Sequence, residues 1–544
     1  MNILKGLPVS EGYAIGKVCI LEKKDFTYEK KKINESQVEN ELDRFNIAKE
    51  KVKQNIDRLY QDTLKKISED EAKIFESHKE VLEDPTLIDS VSDKIQNDLF
   101  SVEEALDKTK EEIVAKFNAI DDEYIKARVL DVKDITDQIM GNLLNIKKKN
   151  LKNLNKNTII VSKDLTPSET MSMDLENVNA FLLEAGGRTS HTAILARSLE
   201  IPAIVGIDNI LSKLKDDEEI IIDAKKGEVI LDIDDNIKKE YEEKIEEEKR
   251  EKKRLLSLKN EKAITKDGRT FRMLANIGNV SDVKDIEKYG AEGIGLFRTE
   301  FLYMDNTHFP TEEEQFETYK KVALVMKEKE FTIRTLDIGG DKELSYYKFD
   351  KEENPFLGYR AIRFCLDDEN KNIFKAQLRA ILRASHFGNI RIMFPMIINL
   401  EEIKKAKEIL KECKNELKNE KIEYDTNIKI GIMIETPAAS IMAEEFAKEV
   451  DFFSIGTNDL CQYTLAIDRG NAKMKNKYDF SNPAVLKSIK HIIEEARKAN
   501  IECAMCGEAA SDSNLTKTLV EYGLPEFSMC PNQIPKIKNI IRNI

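Results

Sequence analysis

From Lys17 to Met140 the chain contains no glycine, and Pro85 is the only proline. Tight hairpin turns draw on residues that tolerate positive φ, glycine first among them. A stretch this long without glycine is therefore poorly suited to a stack of short strands. Its apolar residues instead recur at helical spacing between charges, as in "ESQVENELDRFNIAKEKVKQNIDRLYQDTLKKI". "LEDPTLID" interrupts the pattern, because Pro85 has no N–H to donate inside a helix. A bundle of helices is predicted.

The flanking segments have another texture. "GLPVSEGYAIGKVCIL" at the start, and "TIIVSKDL", "NAFLLEAGG", "PAIVGI" and "EIIIDAKKGEVILDI" after the polar "NIKKKNLKNLNKN", are short β-rich runs, with "SHTAILARSLE" a helix among them. The simplest arrangement is one α/β domain made of residues 1–20 and 148–230, into which a helical domain, 21–147, is inserted. Residues 231–260 are nearly all charged and read as a solvated helical linker. From 261 to 544 eight apolar runs follow, most of them separated by helical segments: "FRMLANI", "GIGLFRTE", "FTIRTLDIG", "IRIMFPMI", "IKIGIMIET", "FFSIGTNDL", "IECAMCGEA" and "FSMCPNQ". This is the pattern of a (β/α)8 TIM barrel. The predicted fold is thus multidomain, an α/β domain with an inserted all-α bundle and then a C-terminal barrel.

Composition narrows the function classes. At 544 residues the chain exceeds one ordinary core. A formal net charge of −14 argues against nucleic acid or an anionic membrane as main partner. No apolar run reaches membrane-spanning length, so membrane insertion is not expected, and "MNILKGLPVSEGYAIG" lacks a signal-peptide core. Seven scattered cysteines suit reduced thiols in a cytoplasm. Cys503 and Cys506 form a CxxC, but three residues apart on a strand they face opposite sides.

Several residues carry chemistry. In "EAGGRTSHTAILARSLEIPAIVG", Gly186 and Gly187 allow a tight turn, Thr189 or Ser190 can cap the next helix, and His191 falls in its first turn. Free N–H groups and the positive dipole end favour an anion there, so His191 could hold a phosphoryl group on a ring nitrogen, with Arg188 nearby. The plainer alternative is a capped helix with an incidental histidine; the glycine-rich context favours the first.

In the barrel, Arg298 and Arg334 sit near strand ends and Arg469 follows "GTNDL". One arginine is ordinarily an ion pair, whereas three suggest a polyanionic substrate. Gly339 and Gly340 would let backbone approach such a ligand. Glu435 and Asp459 end consecutive strands and could share a Mg2+ ion, or could be structural carboxylates bonded to loop N–H groups. Asn458 could touch substrate or hold its turn. Cys506 is either a small buried apolar residue or an acid, since a free thiol keeps its proton at neutral pH.

The segments "GGRTSHTAILARSLEIPAIVG", "GAEGIGLFRTEFLYMD", "RTLDIGGDK", "NPFLGYRAIR", "GIMIETPAA", "DFFSIGTNDLCQYTLAIDRGN" and "AMCGE" together resemble the enzyme I family, the phosphoenolpyruvate–protein phosphotransferases of the bacterial sugar phosphotransferase system, over nearly the whole chain. The resemblance implies that His191 is phosphorylated on Nε2 and that Glu435 and Asp459 hold Mg2+. It implies that Arg298, Arg334, Asn458, Asp459 and Arg469 bind phosphoenolpyruvate, and that Cys506 protonates the enolate to give pyruvate. It further implies that the helical insert docks the phosphocarrier protein HPr, without fixing single contacts such as His78, and that the barrel forms a homodimer. The α/β domain would swing between barrel and bundle, with the connectors flanking it as hinges. An ATP-dependent dikinase or synthase acting on the same histidine is the competing enzyme reading; the glycine-free insert lacks a nucleotide loop. A non-catalytic scaffold would be expected to have lost one of these residues. No sensing domain precedes Met1 in this sequence, so the sugar-pathway branch is expected.

Overall fold

The computed structural model describes residues 2–21, 26–66, 69–118, 123–146, 151–187, 191–304, 306–340, 342, 344–471 and 473–544. Two compact units divide between Arg250 and Glu251.

In the first unit, β1 (Ile3–Lys5), β2 (Leu7–Ser10) and β3 (Tyr13–Leu21) precede five helices: α1 (Val38–Lys66), α2 (Glu69–Glu83), α3 (Pro85–Gln96), α4 (Val102–Asn118) and α5 (Glu123–Leu143). The break at Pro85 is the start of α3, where proline costs nothing and the Asp84 side chain accepts from Thr86 N at 2.7 Å. Phe45, Val52, Ile56, Phe75, Val91, Leu106, Ile135 and Ile139 bury the inward faces of this bundle. His78 is enclosed there at 0% exposure, with Nε2 3.2 Å from Asp131 Oδ1. It is therefore absent from the bundle's outer surface.

After the bundle come β4 (Thr158–Ser162), α6 (Pro167–Met171), β5 (Val178–Leu183), α7 (His191–Ser198), β6 (Ala203–Val205), α8 (Ile210–Lys213), β7 (Glu219–Asp223) and β8 (Glu228–Ile230). The eight strands form one sheet in the order β1-β8-β7-β3-β4-β5-β6-β2. The first residues of the chain thus complete a sheet whose other strands follow the helical insert. Strands β3 to β6 run parallel, while β7 pairs with β3 and β2 with β6 antiparallel.

The charged segment is helical, α9 (Asp235–Ser257), but it is not wholly solvated. Tyr241 is 5% exposed and donates its hydroxyl to the buried Asp223 carboxylate at 3.0 Å. It also meets the Tyr13 ring edge-on, with centroids 5.9 Å apart. One aromatic side chain among many charges is enough to dock that turn onto the sheet.

In the second unit a short β9 (Ala263–Ile264) pairs antiparallel with β10 (Thr270–Ile277). The eight predicted runs are the strands β10, β11 (Gly293–Phe297), β12 (Phe331–Arg334), β13 (Ile390–Phe394), β14 (Lys429–Ile434), β15 (Phe452–Ile455), β16 (Glu502–Met505) and β17 (Glu526–Met529). All neighbours are parallel, and β10 pairs with both β17 and β11, which closes the barrel. Below the strands' N-terminal ends lies an ionic floor. Glu330 and Glu526 meet Arg272 at 2.7 and 2.5 Å, Arg391 bridges Glu330 and Glu502, and Lys429 meets Glu502 at 2.6 Å. The three carboxylates are close enough to share a cation, but their oxygens already face these cationic side chains. Among the described residues no helix is long and apolar enough to cross a membrane.

Candidate active site

Arg298, Arg334, Glu435, Asn458, Asp459, Arg469 and Cys506 lie on the face where the strands end. Arg298 directly follows β11, Arg334 is the last residue of β12, Glu435 directly follows β14, and Cys506 directly follows β16. Asn458 and Asp459 open the helix Thr457–Leu465 after β15, and Arg469 lies just beyond that helix. In parallel barrels this face carries the chemistry, because the strands hold it rigidly while the loops are free to vary.

The centre of the face is a dense set of buried charges. Arg334 Nη2 is 2.5 Å from Glu300 Oε1 and 3.0 Å from Asp337 Oδ2. Lys342 Nζ is 2.8 Å from Asp337 Oδ2, and Arg360 Nη2 is 2.7 Å from Asp337 Oδ1. Although burial acts to raise it, Asp337 is held far below the usual carboxylate range by Lys342, Arg334 and Arg360. Arg360 Nη2 also lies 3.9 Å from Asp459 Oδ2, while Arg469 Nη1 approaches Asp459 Oδ1 at 3.5 Å. On this face the buried Nε atoms of Arg334 and Arg360 have no hydrogen-bond partner among the described residues, as is also true of Arg391 Nε in the ionic floor. Buried, unused donors of this kind suit an incoming anion.

The carboxylates behave differently. Glu435 is 1% exposed and accepts from Met396 N at 2.7 Å. Burial, then Asp459 and Asp337, push it up to about 8. Asp459 Oδ1 is buried without a hydrogen bond among the described residues. A repelled pair of carboxylates, one with an oxygen that has only the long ion pair to Arg469, is a donor set that a hard divalent cation fits.

Cys506 is enclosed by Leu296, Met393, Met433 and Phe452 inside the barrel, whereas Cys503 packs outside it, so this CxxC faces two ways as expected. Burial pushes the Cys506 thiol up, which keeps it protonated. Asn458 exchanges hydrogen bonds with Glu508: its Nδ2 donates to Oε1 at 3.2 Å and its Oδ1 accepts from Glu508 N at 2.9 Å. Arg298 is exposed, with its N–H on the Ile277 carbonyl at 2.9 Å.

Glu300, Asp337, Lys342 and Arg360 join the site without having been expected there from sequence. The last three lie within the quoted "RTLDIGGDK" and "NPFLGYRAIR", and only their tertiary pairing marks them. Gly339 also has a different use from the one expected. Its φ is 94°, and a Cβ there would lie 2.7 Å from the Arg360 Cβ, so the glycine admits this arginine rather than a ligand.

In the first unit, Gly186 has φ 102°, and His191 is the first residue of α7. Ala193, Leu195 and Ala196 anchor the helix in the core. Arg188, Thr189 and Ser190 lie outside the described residues, as does the His191 imidazole.

Three family models match the chain: the PEP-utilising enzyme, PEP-binding domain, over residues 252–544; the PEP-utilising enzyme, N-terminal, over 5–128; and the PEP-utilising enzyme, mobile domain, over 154–227. Among curated proteins, a phosphoenolpyruvate-protein phosphotransferase of Mycoplasma capricolum is 45% identical over 99% of this chain and 94% of its own length. One of Bacillus subtilis is 45% identical over 98% and 93%, and one of Staphylococcus carnosus 42% identical over 99% and 94%.

Proposed function

The chain belongs to the PEP-utilising enzymes, among the phosphoenolpyruvate–protein phosphotransferases, and on that premise we propose how its residues divide the work of enzyme I. Phosphoenolpyruvate brings a carboxylate and a phosphate to the barrel mouth. Arg298, Arg334 and Arg469 match those oxygens, and Asn458 and Asp459 complete the set that binds the substrate. The His191 ring nitrogen Nε2 attacks phosphorus; the N–P bond forms as the bond from phosphorus to the enol oxygen breaks. Cys506 then gives its proton to the methylene carbon of the enolate, and pyruvate leaves. A phosphocarrier protein, HPr, docks on the helices of residues 21–147 and takes the phosphoryl group from His191.

Glu435 and Asp459 would hold Mg2+, which when bound offsets the negative charge of the phosphate. The Asp459 oxygen that accepts no hydrogen bond among the described residues and the upward push on Glu435 support that assignment. We also infer self-association through the barrel, whose exposed Leu357 and Ile441 suit burial against a second copy.

The observation that carries this reading is the placement of a polyanion-matching set, with unused Arg334 and Arg360 donors, on the reactive face of the barrel. The test is incubation with phosphate-labelled phosphoenolpyruvate and Mg2+, with and without HPr, followed by mapping of the modified residue. Acid-labile label at His191 that passes to HPr is expected. Normal labelling of His191→Ala would refute the assignment, and label taken from ATP would point to a dikinase.

A further inference from the structure

The proton donated in this reaction leaves a charge behind on sulfur, and the resting surroundings of Cys506 are built for a neutral thiol. Its backbone is pinned from both sides. Cys506 N donates to the Ile455 carbonyl at 3.1 Å, and Asn276 Nδ2 donates to the Cys506 carbonyl at 2.8 Å. Asn276 is itself fixed by the Ser528 hydroxyl, which donates to its Oδ1 at 2.6 Å. These contacts hold the Cα of Cys506, and its side chain packs among buried apolar residues inside the barrel. Its near polar neighbour is the Ile455 carbonyl, with S–O 3.7 Å, an acceptor for S–H that repels a thiolate.

Ser454 supplies the missing donor. It pairs in register with Ala504, two residues before Cys506. Strand alternation turns Ser454 inward with Phe452, while Phe453 and Ile455 pack in the outer core. The residue is 1% exposed, and among the described residues its hydroxyl forms no well-aligned hydrogen bond at rest, the Cys506 sulfur being the group it acts on. It faces the Cys506 sulfur closely enough to pull the thiol's titration down against burial, as Arg334 and Arg298 also do from farther away, with Glu435 opposing them. A buried hydroxyl with no well-aligned partner at rest is available to an acceptor that forms during the reaction.

We propose that Ser454 is a positioning residue for enolate protonation, turning its O–H onto the Cys506 sulfur as the proton departs. The S–H bond breaks and its electron pair stays on sulfur. The enolate's π pair forms the new C–H bond at the methylene carbon, and negative charge passes from enolate to sulfur. The Ser454 hydroxyl donates to that thiolate until solvent returns a proton. The inference rests on the proposed role of Cys506.

The test compares Ser454→Ala, Ser454→Thr and Cys506→Ala in the full-length protein, measuring pyruvate formation from phosphoenolpyruvate in H2O and D2O. A hydrogen bond to a charged group is lost in Ser454→Ala, so kcat falls roughly ten- to a hundredfold. KM stays unchanged, the solvent isotope effect rises as protonation becomes slower, and Ser454→Thr, which keeps the hydroxyl, recovers most of the rate. Ser454→Ala turnover within twofold of the parent overturns the inference. So does a loss shared by Ser454→Thr, or one that moves KM and kcat together. If Cys506→Ala itself turns over normally, the role of Cys506 fails instead, whatever the serine variants do.

Discussion

Gly507→Ala adds one methyl group next to Cys506, and its consequence can be worked from distances. Gly507 has φ −79°, which alanine adopts freely, so backbone strain is not the issue. A Cβ at this position would lie 1.9 Å from Thr457 Oγ1 and 2.5 Å from Thr457 N, where ordinary contact begins at 3.4 Å. The hydroxyl can rotate, but the backbone nitrogen cannot, so β16's loop and the helix opening at Thr457 must separate by most of an ångström. Overpacking of this size costs about 1–3 kcal/mol of stability. The two elements forced apart carry Cys506 on one side and Asn458 with Asp459 on the other. A displacement of about 1 Å between reacting groups slows catalysis roughly a hundredfold. The assay is steady-state pyruvate release, with thermal melting of the same sample. The expected result is a modest loss of melting temperature and a large loss of kcat. A variant that melts early yet turns over at the parental rate would show that the spacing of these two loops does not govern the reaction.

Other predictions concern charge and burial. Glu435, pushed up to about 8 by burial and by Asp459 and Asp337, must lose its proton to ligate a cation; Mg2+ affinity, followed by calorimetry, should therefore rise with pH through about 8 with proton release, and Glu435→Gln should remove that pH dependence. Glu526, pushed up to about 7 by burial and by Glu330, is protonated more readily folded than unfolded. A raised carboxyl stabilises the fold at low pH and loses that contribution between the ordinary value near 4.5 and about 7, so Glu526→Gln should flatten the fall in barrel stability across this window in denaturant titrations. Tyr241→Phe leaves a buried Asp223 oxygen without its hydroxyl donor; unfolding of the first unit should become easier by about 1–3 kcal/mol, with faster amide exchange in α9.

The parts of the fold that were legible in sequence are those with a strong local period. Barrel strands such as Ile390–Phe394 and Lys429–Ile434 are buried on both faces for most of their length, so they read as unbroken apolar runs. The bundle was legible from what it lacks, glycine. Pairing across the chain was less so. That β3 would lie between β4 and β7, parallel to one and antiparallel to the other, is not written in any of the three runs. The docking of Tyr241 was hidden by the charges around it. At the site, Arg298, Arg334 and Glu435 were visible because they stand at strand ends, whereas Asp459, expected to end a strand, falls in the helix after β15 and Arg469 lies beyond it. Asp337 and Arg360 have no local sequence signal, since their significance lies in a salt bridge between residues 23 positions apart.

The sheet of the first unit also has a temporal side. Strand β3 ends at Leu21, but its neighbours begin only at Thr158 and Glu219. At roughly 5–20 residues per second of translation, the opening strands wait many seconds outside the ribosome before a neighbour emerges. During that interval the helices between them, rich in local contacts, can already collapse. The bundle thus matures first and brings the two ends of its parent domain together, so that a late-arriving β4 finds its mate nearby instead of searching across an open coil.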